Sequence, residues 1–175
     1  VGIRSGSARK ELALREGLAV LPTSDAVASA DVVMLMLPDE AMARVYESEI
    51  APCLQSEAVL GFAHGFAIAF DQVVPEPGRR CFLAAPKGQG DMLLAVHAQG
   101  CGVPGLLAVT EDSPRETWAV AAAYAKAIGG TRGGVLETTF KEETETDLFG
   151  EQAVLCGGVT ELMRSGFETL VAAGY

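Results

Sequence analysis

Short apolar runs alternate with helical segments over the first two-thirds of this chain, and that alternation constrains its fold most. The clearest run, VVMLML at residues 32–37, stops at Pro38 and has the length of one strand. A continuous apolar strand is typical of parallel sheets covered on both faces, so we expect it to be buried on both sides. Similar strands are predicted at 58–62, 81–85 and 105–109, with shorter ones at 1–3 and 19–21.

Helices are predicted between these strands from their capping residues and terminal glycines. They are expected at 8–16, 24–30 and 39–50, with Asp39 as the cap of the third, and at 113–128, opened by the capping box SPRE. Strand, helix and strand in this order require right-handed crossovers. The sequence therefore predicts an α/β fold with a mostly parallel, Rossmann-type sheet, whose ligands bind beyond the carboxyl ends of the strands.

The pattern changes to helix on helix near residue 139. A second capping box, TFKE at 139–142, opens a helix that is expected to reach Cys156 and to break at Gly157 and Gly158. The next segment carries one apolar stripe, formed by Val159, Leu162, Met163, Phe167, Leu170 and Val171. Two domains are predicted, over residues 1–139 and 140–175.

Composition excludes several classes of function. The net charge of −10 argues against binding to nucleic acid or to an anionic membrane, both of which need clustered basic residues. Apolar runs fall well short of the roughly 20 residues that span a bilayer. Four widely spaced cysteines suit reduced thiols in a cytoplasmic enzyme. The chain begins in a strand-like segment and stops after an amphipathic helix, so we interpret both ends as cuts through a longer protein.

An acidic stretch, KEETETDLFGE at 141–151, contains the strongest candidate ligands. On a helix, Glu143, Asp147 and Glu151 share one face, where like charges repel. Water at a solvated surface or a divalent cation can offset that repulsion. Hard carboxylate oxygens at this spacing suit Mg²⁺, and the intervening Leu148 and Phe149 make a fully solvated face less favourable. Glu142 is assigned to the cap, whereas Glu143 and Glu145 are expected to face other polar groups or solvent.

Polar residues also follow three predicted strands. His64 stands directly after an apolar strand, as a catalytic group or a structural hydrogen-bonding one. Lys87, in APKGQG, either holds a phosphate or metal-bound oxygen or lies in a solvated turn. Arg4 and Ser7, in IRSGS at 3–7, suit the 2′-phosphate of NADP, although a basic surface loop is favoured for that segment taken alone.

Taken together, five motifs resemble the ketol-acid reductoisomerase family in its short bacterial form. They are LMLPDE at 35–40, FAHGF at 62–66, APKG at 85–88, IGGTR at 128–132, and the run from ETTFKEETETDLFGEQ at 137–152 to CGG at 156–158. The resemblance covers essentially the whole chain. It implies a Rossmann-type NADP-binding domain without its first strand, followed by the beginning of a knotted helical domain.

The resemblance also implies an activity. The family carries out a Mg²⁺-dependent alkyl migration on a 2-hydroxy-3-keto acid and then reduces the product with NADPH. Its substrates are 2-acetolactate and 2-aceto-2-hydroxybutyrate, precursors of valine and isoleucine. The full-length parent is expected to be a cytoplasmic homo-oligomer. The family's second carboxylate pair would lie beyond Tyr175, so the 175 residues alone are expected to be inactive.

Roles carried over by position follow from the same resemblance. Asp147 and Glu151 would be magnesium ligands, with Asp147 bridging two ions, Lys87 would support a metal-bound oxygen, and His64 would be the active-site histidine. The implied NADPH contacts are Arg4 and Ser7 at the 2′-phosphate and Asp39, Glu40, Ala41, Met42 and Gly90 along the cofactor cleft. Gln89, Asp91, Met42 and Ala67 depart from residues common in the family.

Two other interpretations remain open from the sequence. One is another two-domain NADP-dependent hydroxyacid dehydrogenase, which would lack the carboxylate helix and hence a dependence on Mg²⁺. The other is a non-catalytic truncated remnant that binds nucleotide weakly or packs against a partner.

Overall fold

The fold is an α/β sheet followed by helices. Within residues 1–4 and 6–175, which the computed structural model describes, five strands form one sheet in the order β1-β2-β3-β4-β5. They are β1 Val32–Leu35, β2 Val59–Phe62, β3 Cys81–Pro86, β4 Gly105–Val109 and β5 Val135–Glu137. The pairs β1–β2, β2–β3 and β4–β5 are parallel, and β3–β4 is antiparallel. The predicted mostly parallel, Rossmann-type sheet is confirmed.

Helices flank the sheet and make up the C-terminal part. Their bounds are α1 Arg9–Arg15, α2 Thr23–Ala28, α3 Asp39–Val45, α4 Phe66–Ala69, α5 Gly90–Ala98, α6 Thr117–Ala127, α7 Gly130–Gly133, α8 Phe140–Phe149 and α9 Gly158–Ala172. Wider π-helical turns extend α3 over Tyr46–Ile50 and α8 over Gly150–Cys156. Among the described residues, each helix is too short or too polar to cross a bilayer.

The core lies on both faces of the sheet, as the apolar runs predict. On one face, Leu60 and Leu83 belong to a cluster that includes Met42 of α3 and Phe140 of α8. On the other face, a second cluster contains Phe82 and two alanines of α6, Ala121 and Ala125. Alternation along β3 sends successive side chains to opposite faces, which explains why one strand contributes to both clusters.

The first strand departs from the prediction of burial on both faces. β1 ends at Leu35, and both Val32 (40%) and Met36 (69%) are exposed. In the described part of the chain β1 is an edge strand, paired only with β2, so its other side is not covered by a neighbouring strand. The strands predicted at 1–3 and 19–21 reduce to one parallel bridge between Gly2 and Leu21.

Strand β4 is antiparallel to β3 because the connection between them, which contains α5, does not cross over the sheet. Lys87, just after β3, donates its backbone N–H to the Pro104 carbonyl at 2.8 Å, and Gly105 pairs with Pro86. The chain therefore enters β4 beside the carboxyl end of β3, at the same end of the sheet that it left. Every residue of α5, which lies between the two strands, is at least partly exposed, so this helix does not cover a sheet face as a crossover helix would.

The two predicted capping boxes have different outcomes. Thr139 Oγ1 accepts the Glu142 N–H at 3.0 Å, so the cap of α8 is confirmed. The box at 113–116 is wrong, because α6 begins at Thr117 and Ser113 Oγ instead accepts the backbone N–H of Cys81. That hydrogen bond ties the loop to the start of β3.

Two further helix boundaries have different outcomes. Asp39 is the first residue of α3, after Pro38, and is not its cap. The predicted break at Gly157 is confirmed, since the π-helical turn ends at Cys156 and α9 begins at Gly158, although Gly157 keeps helical angles (φ −92°, ψ −62°).

Candidate active site

The carboxyl ends of three neighbouring strands bring predicted site residues to one edge of the sheet. Because β1, β2 and β3 are parallel, Asp39, His64 and Lys87 follow strands that all end at this edge. Lys87 directly follows β3, and His64 is the second residue after β2. This is where ligands of such sheets bind.

Helix α8 delivers the acidic residues to the same edge. Its first residue, Phe140, is buried and packs edge-on against Phe62 of β2, with ring centroids 5.8 Å apart. Thr144, also buried, donates its hydroxyl to the Phe140 carbonyl at 2.7 Å. This anchored turn fixes the rotation of the helix. Glu143 and Asp147, one turn apart, therefore face the residues that follow β2 and β3.

Four polar side chains meet in one connected network. Lys87 Nζ donates to Glu143 Oε1 at 2.6 Å and to Asp147 Oδ1 at 2.7 Å. His64 Nε2 lies 3.2 Å from Asp147 Oδ2. The structure thus brings together three of the predicted site residues, namely His64, Lys87 and Asp147, and adds Glu143 to them.

Glu143, which was predicted to share the Asp147 face and to meet other polar groups or solvent, is a full member of the network. Its side chain is fully buried, and besides Lys87 it accepts the backbone N–H of Gly65 at 2.7 Å through Oε2. A buried carboxylate is tolerated only when it is paired and hydrogen-bonded, and both conditions hold here. The available signal was its position four residues before Asp147, on the same helix face.

Gly65 allows the turn after β2 to approach α8 closely. A Cβ built at this position would collide with the Phe140 carbonyl oxygen and Thr144 Oγ1, and would lie 2.9 Å from Glu143 Oε2. The backbone N–H of Gly65 could not reach the Glu143 carboxylate if the turn were pushed away. The glycine is therefore required by close packing, since its own φ of −78° suits any residue.

The network shifts the pKa of two of its members. Burial by itself would lower the pKa of Lys87, but hydrogen bonds and charge attraction to Asp147 and Glu143 outweigh it and raise the pKa above its usual value. Burial would raise the pKa of Asp147, but the Lys87 ammonium and His64 lower it overall. Both shifts favour the charged forms at neutral pH.

These pKa shifts predict how stability depends on pH. Asp147 has a lowered folded-state pKa, so its contribution is present above about pH 4 and is lost as the pH falls through the folded value. Lys87 has a raised folded-state pKa, so its contribution is present below about pH 10 and is lost as the pH rises further. Urea unfolding of the wild type and of Lys87→Met across this range should therefore show the largest difference at intermediate pH. A difference that does not vary with pH would contradict this origin.

The donor set at this edge fits a hard divalent cation beside Asp147. One nitrogen or oxygen atom from each of His64, Glu143 and Asp147 lies within 4.8 Å of the other two, which brings two carboxylates and an imidazole together at one point. Lys87 Nζ already bridges the two carboxylates and neutralises one of their charges. With a neutral imidazole, the cluster retains one net negative charge. Asp147 is partly open to solvent, so a cation would meet that charge there rather than at buried Glu143.

Glu151 lies apart from this cluster. It is exposed, in the π-helical turn that follows α8, and among the described residues it does not belong to the group formed by His64, Glu143 and Asp147. Residues 151–175 are all exposed, including the predicted apolar stripe of α9. The pairing of Asp147 with Glu151 as ligands remains a prediction.

The predicted cofactor residues lie in several places. Arg4 is exposed, and half-buried Ser7 accepts the Arg9 N–H at 3.3 Å through its hydroxyl. Ser5, the other hydroxyl of that segment, lies outside the described residues. Met42 is buried in the core, so its side chain is not accessible to a cofactor. The remaining predicted contacts are accessible at the starts of α3 and α5, namely Asp39, Glu40, Ala41 and Gly90.

Comparison with protein families gives two matches that together cover most of the chain. Acetohydroxy acid isomeroreductase, NADPH-binding domain, matches residues 1–134. Ketol-acid reductoisomerase, C-terminal domain, matches residues 140–175.

Solved structures agree with the family matches. An NADH-preferring ketol-acid reductoisomerase from an uncultured archaeon is 45% identical with a TM-score of 0.89, and the match covers 100% of this chain and 54% of that one. This chain therefore spans about half the length of that relative.

More distant structures share the fold alone. An NAD-binding semialdehyde dehydrogenase from Cupriavidus necator, solved with calcium and NAD, is 21% identical, with a TM-score of 0.72 over 98% of this chain and 64% of that one. Prephenate dehydrogenase from Aquifex aeolicus is 12% identical, with a TM-score of 0.60 over 91% and 58%.

Proposed function

Because the chain belongs to the ketol-acid reductoisomerase family, we propose that it supplies the NADPH-binding domain and part of the magnesium site of such an enzyme. The proposed reaction converts 2-acetolactate and 2-aceto-2-hydroxybutyrate into 2,3-dihydroxy acids. The observation that carries the proposal is the junction of Lys87, Glu143, Asp147 and His64 at the ends of β2 and β3.

Each residue of the cluster has a distinct proposed task. Asp147 and Glu151 would hold Mg²⁺, which when bound polarises the substrate's keto and hydroxyl oxygens, and NADPH would supply the hydride. Lys87 Nζ has three N–H donors, of which Glu143 and Asp147 take two. Within the described residues the third has no acceptor, so it can donate to a substrate oxygen. Buried Glu143 keeps the ammonium charged and in place.

Nucleotide binding is the first test. We expect the chain to bind NADPH more tightly than NADH, because the Arg4 guanidinium and the Ser7 hydroxyl can bind the additional 2′-phosphate. The archaeal relative prefers NADH, so the expected preference of this chain for NADPH rests on its own residues Arg4 and Ser7 and has to be measured. Calorimetric titration of both nucleotides into the wild type and Arg4→Ala should show a preference of roughly tenfold that the variant loses. Failure of both nucleotides to bind would favour a non-catalytic remnant.

Metal binding is the second test, and it separates the proposal from a metal-independent hydroxyacid dehydrogenase. Asp147→Asn removes the negative charge that faces solvent but keeps the shape of the side chain. Titration with Mn²⁺, followed by electron paramagnetic resonance of the free ion, should show at least about tenfold weaker binding in the variant. Glu145→Gln is the matched control, because Glu145 is exposed and lies outside the cluster. Equal binding by wild type and Asp147→Asn would contradict the metal assignment.

Turnover is the third test. The chain can be joined to the parts of the archaeal reductoisomerase that it does not match, and NADPH consumption followed with 2-acetolactate and Mg²⁺. The fusion should consume NADPH, whereas the 175 residues alone should bind ligands without turnover. A folded fusion that binds NADPH and Mg²⁺ yet leaves 2-acetolactate unchanged would overturn the proposed reaction.

A further inference from the structure

The orientation of His64 is set by a backbone amide as well as by Asp147. The Phe66 N–H donates to His64 Nδ1 at 3.1 Å. Phe66 is the first residue of α4, so its N–H has no acceptor within the helix and is available for this bond. A ring nitrogen that accepts a hydrogen bond uses its lone pair, so it cannot carry the proton of a neutral imidazole.

The other ring nitrogen faces a group that can only accept. His64 Nε2 lies 3.2 Å from Asp147 Oδ2, and Lys87 holds the second oxygen of the same carboxylate at 2.7 Å. An ionised carboxylate has no proton to give, so Nε2 must donate. Both contacts of the ring therefore require the same tautomer, with the proton on Nε2.

We propose that the Phe66 N–H fixes His64 in the Nε2–H tautomer and thereby makes it a positioning residue for Asp147. This inference rests on the proposed function, because it concerns the carboxylate assigned to Mg²⁺. A histidine ligand coordinates through a ring lone pair, and in this tautomer the nitrogen facing the carboxylates has none to offer. His64 thus leaves the metal to the oxygen ligands. It holds Oδ2 of Asp147 while Lys87 holds Oδ1, which stops the carboxylate from rotating.

Nitrogen-15 NMR of labelled histidine tests the tautomer directly. The chain has only two histidines, His64 and His97, so a His97→Gln variant leaves a single imidazole to observe. At pH about 9, above the usual range for an imidazole, we expect a protonated Nε2 and an unprotonated Nδ1. We also expect a scalar coupling across the hydrogen bond between the Phe66 amide and Nδ1. Protonated Nδ1, averaging of the two nitrogens, or absence of that coupling would overturn the proposal.

A pair of substitutions at Phe66 separates its amide from its ring. Phe66→Pro removes the N–H at a first helical position, where proline is tolerated, and Phe66→Ala removes the ring but keeps the N–H. The alanine variant should retain the Nε2–H tautomer. The proline variant should show the Nδ1–H tautomer in part, because only the Asp147 contact then favours Nε2–H. A folded proline variant that keeps the fixed tautomer would overturn the role of the amide. If that variant does not fold, the coupling measured in the His97→Gln chain decides the question.

These measurements use the chain without metal or nucleotide, so they are independent of the proposed function. Weak Mn²⁺ binding together with a fixed Nε2–H tautomer would count against the magnesium site and leave the positioning of Asp147 intact. Normal Mn²⁺ binding together with a protonated Nδ1 would overturn the inference and leave the magnesium site intact.

Discussion

Lys87→Met is expected to lower the free energy of unfolding by about 3 kcal/mol at pH 7. Removing one partner of a buried ion pair typically costs 3–5 kcal/mol, because the other charge remains buried without compensation. Glu143 is fully buried and would be left with only the Gly65 N–H, while Asp147 would lose its nearest cation. The lower end of the range applies because one-third of the Lys87 side chain is exposed. Urea unfolding measures the loss.

Two further variants identify the origin of that loss. Lys141→Met removes a lysine whose ion pair with Glu145 is exposed and 3.8 Å long, so it should change stability by less than about 1 kcal/mol. Glu143→Gln keeps an acceptor for the Gly65 N–H but removes the buried charge. Added to Lys87→Met, it should recover about 1–3 kcal/mol in a double-mutant cycle. Equal effects of Lys87→Met and Lys141→Met would contradict the buried network.

Gly65→Ala is expected to destabilise the chain by about 3 kcal/mol through the contact between the β2–α4 turn and α8. Overpacking a tight contact costs roughly 1–3 kcal/mol, and a hydrogen bond to a charged group contributes roughly 1.5–3 kcal/mol. The added methyl group would meet oxygen atoms of Phe140, Thr144 and Glu143, which belong to backbone or to buried side chains and cannot move far. The Gly65 N–H would then withdraw from Glu143.

The matched control for this substitution is Gly166→Ala. Gly166 lies inside α9, and a Cβ there would meet nothing within 4 Å. Alanine is favoured over glycine in a helix by roughly 0.5–1 kcal/mol, so this variant should be slightly more stable than the wild type. Gly65→Ala should also weaken the contact of His64 with Asp147, which the histidine NMR signals would report. A Gly65→Ala chain as stable as the wild type would exclude the close approach.

Local sequence patterns predicted the elements that depend on residues close together in the chain. Strands β2, β3 and β4 lie within one residue of their predicted bounds, because continuous apolar runs with polar ends leave few alternatives. The cap of α8 formed because Thr139 and Glu142 are only three residues apart in the chain. The box at 113–116 did not form, and Ser113 Oγ instead accepts the backbone N–H of Cys81, which is 32 residues away in the chain.

In the candidate site too, local patterns identified some residues, whereas contacts between remote segments could not be predicted. His64 and Lys87 were found from their places after strands, and Asp147 from its helix face. The partners of Glu143 could not be predicted, because they are 78 and 56 residues away and one of them is a backbone amide. Its burial depends on how closely Gly65 lets two elements approach, which a pattern of polar and apolar residues does not record.

The amino-acid sequence by itself determined the α/β class, the mostly parallel sheet and the edge at which polar residues gather, because these follow from local periodicity and from strands that end at one side. Only the tertiary structure decided the direction of β4, the burial of Glu143 and the two-sided hold of Lys87 and His64 on Asp147. Those features depend on distances between remote segments and on charges that are stable in the interior only when they are paired.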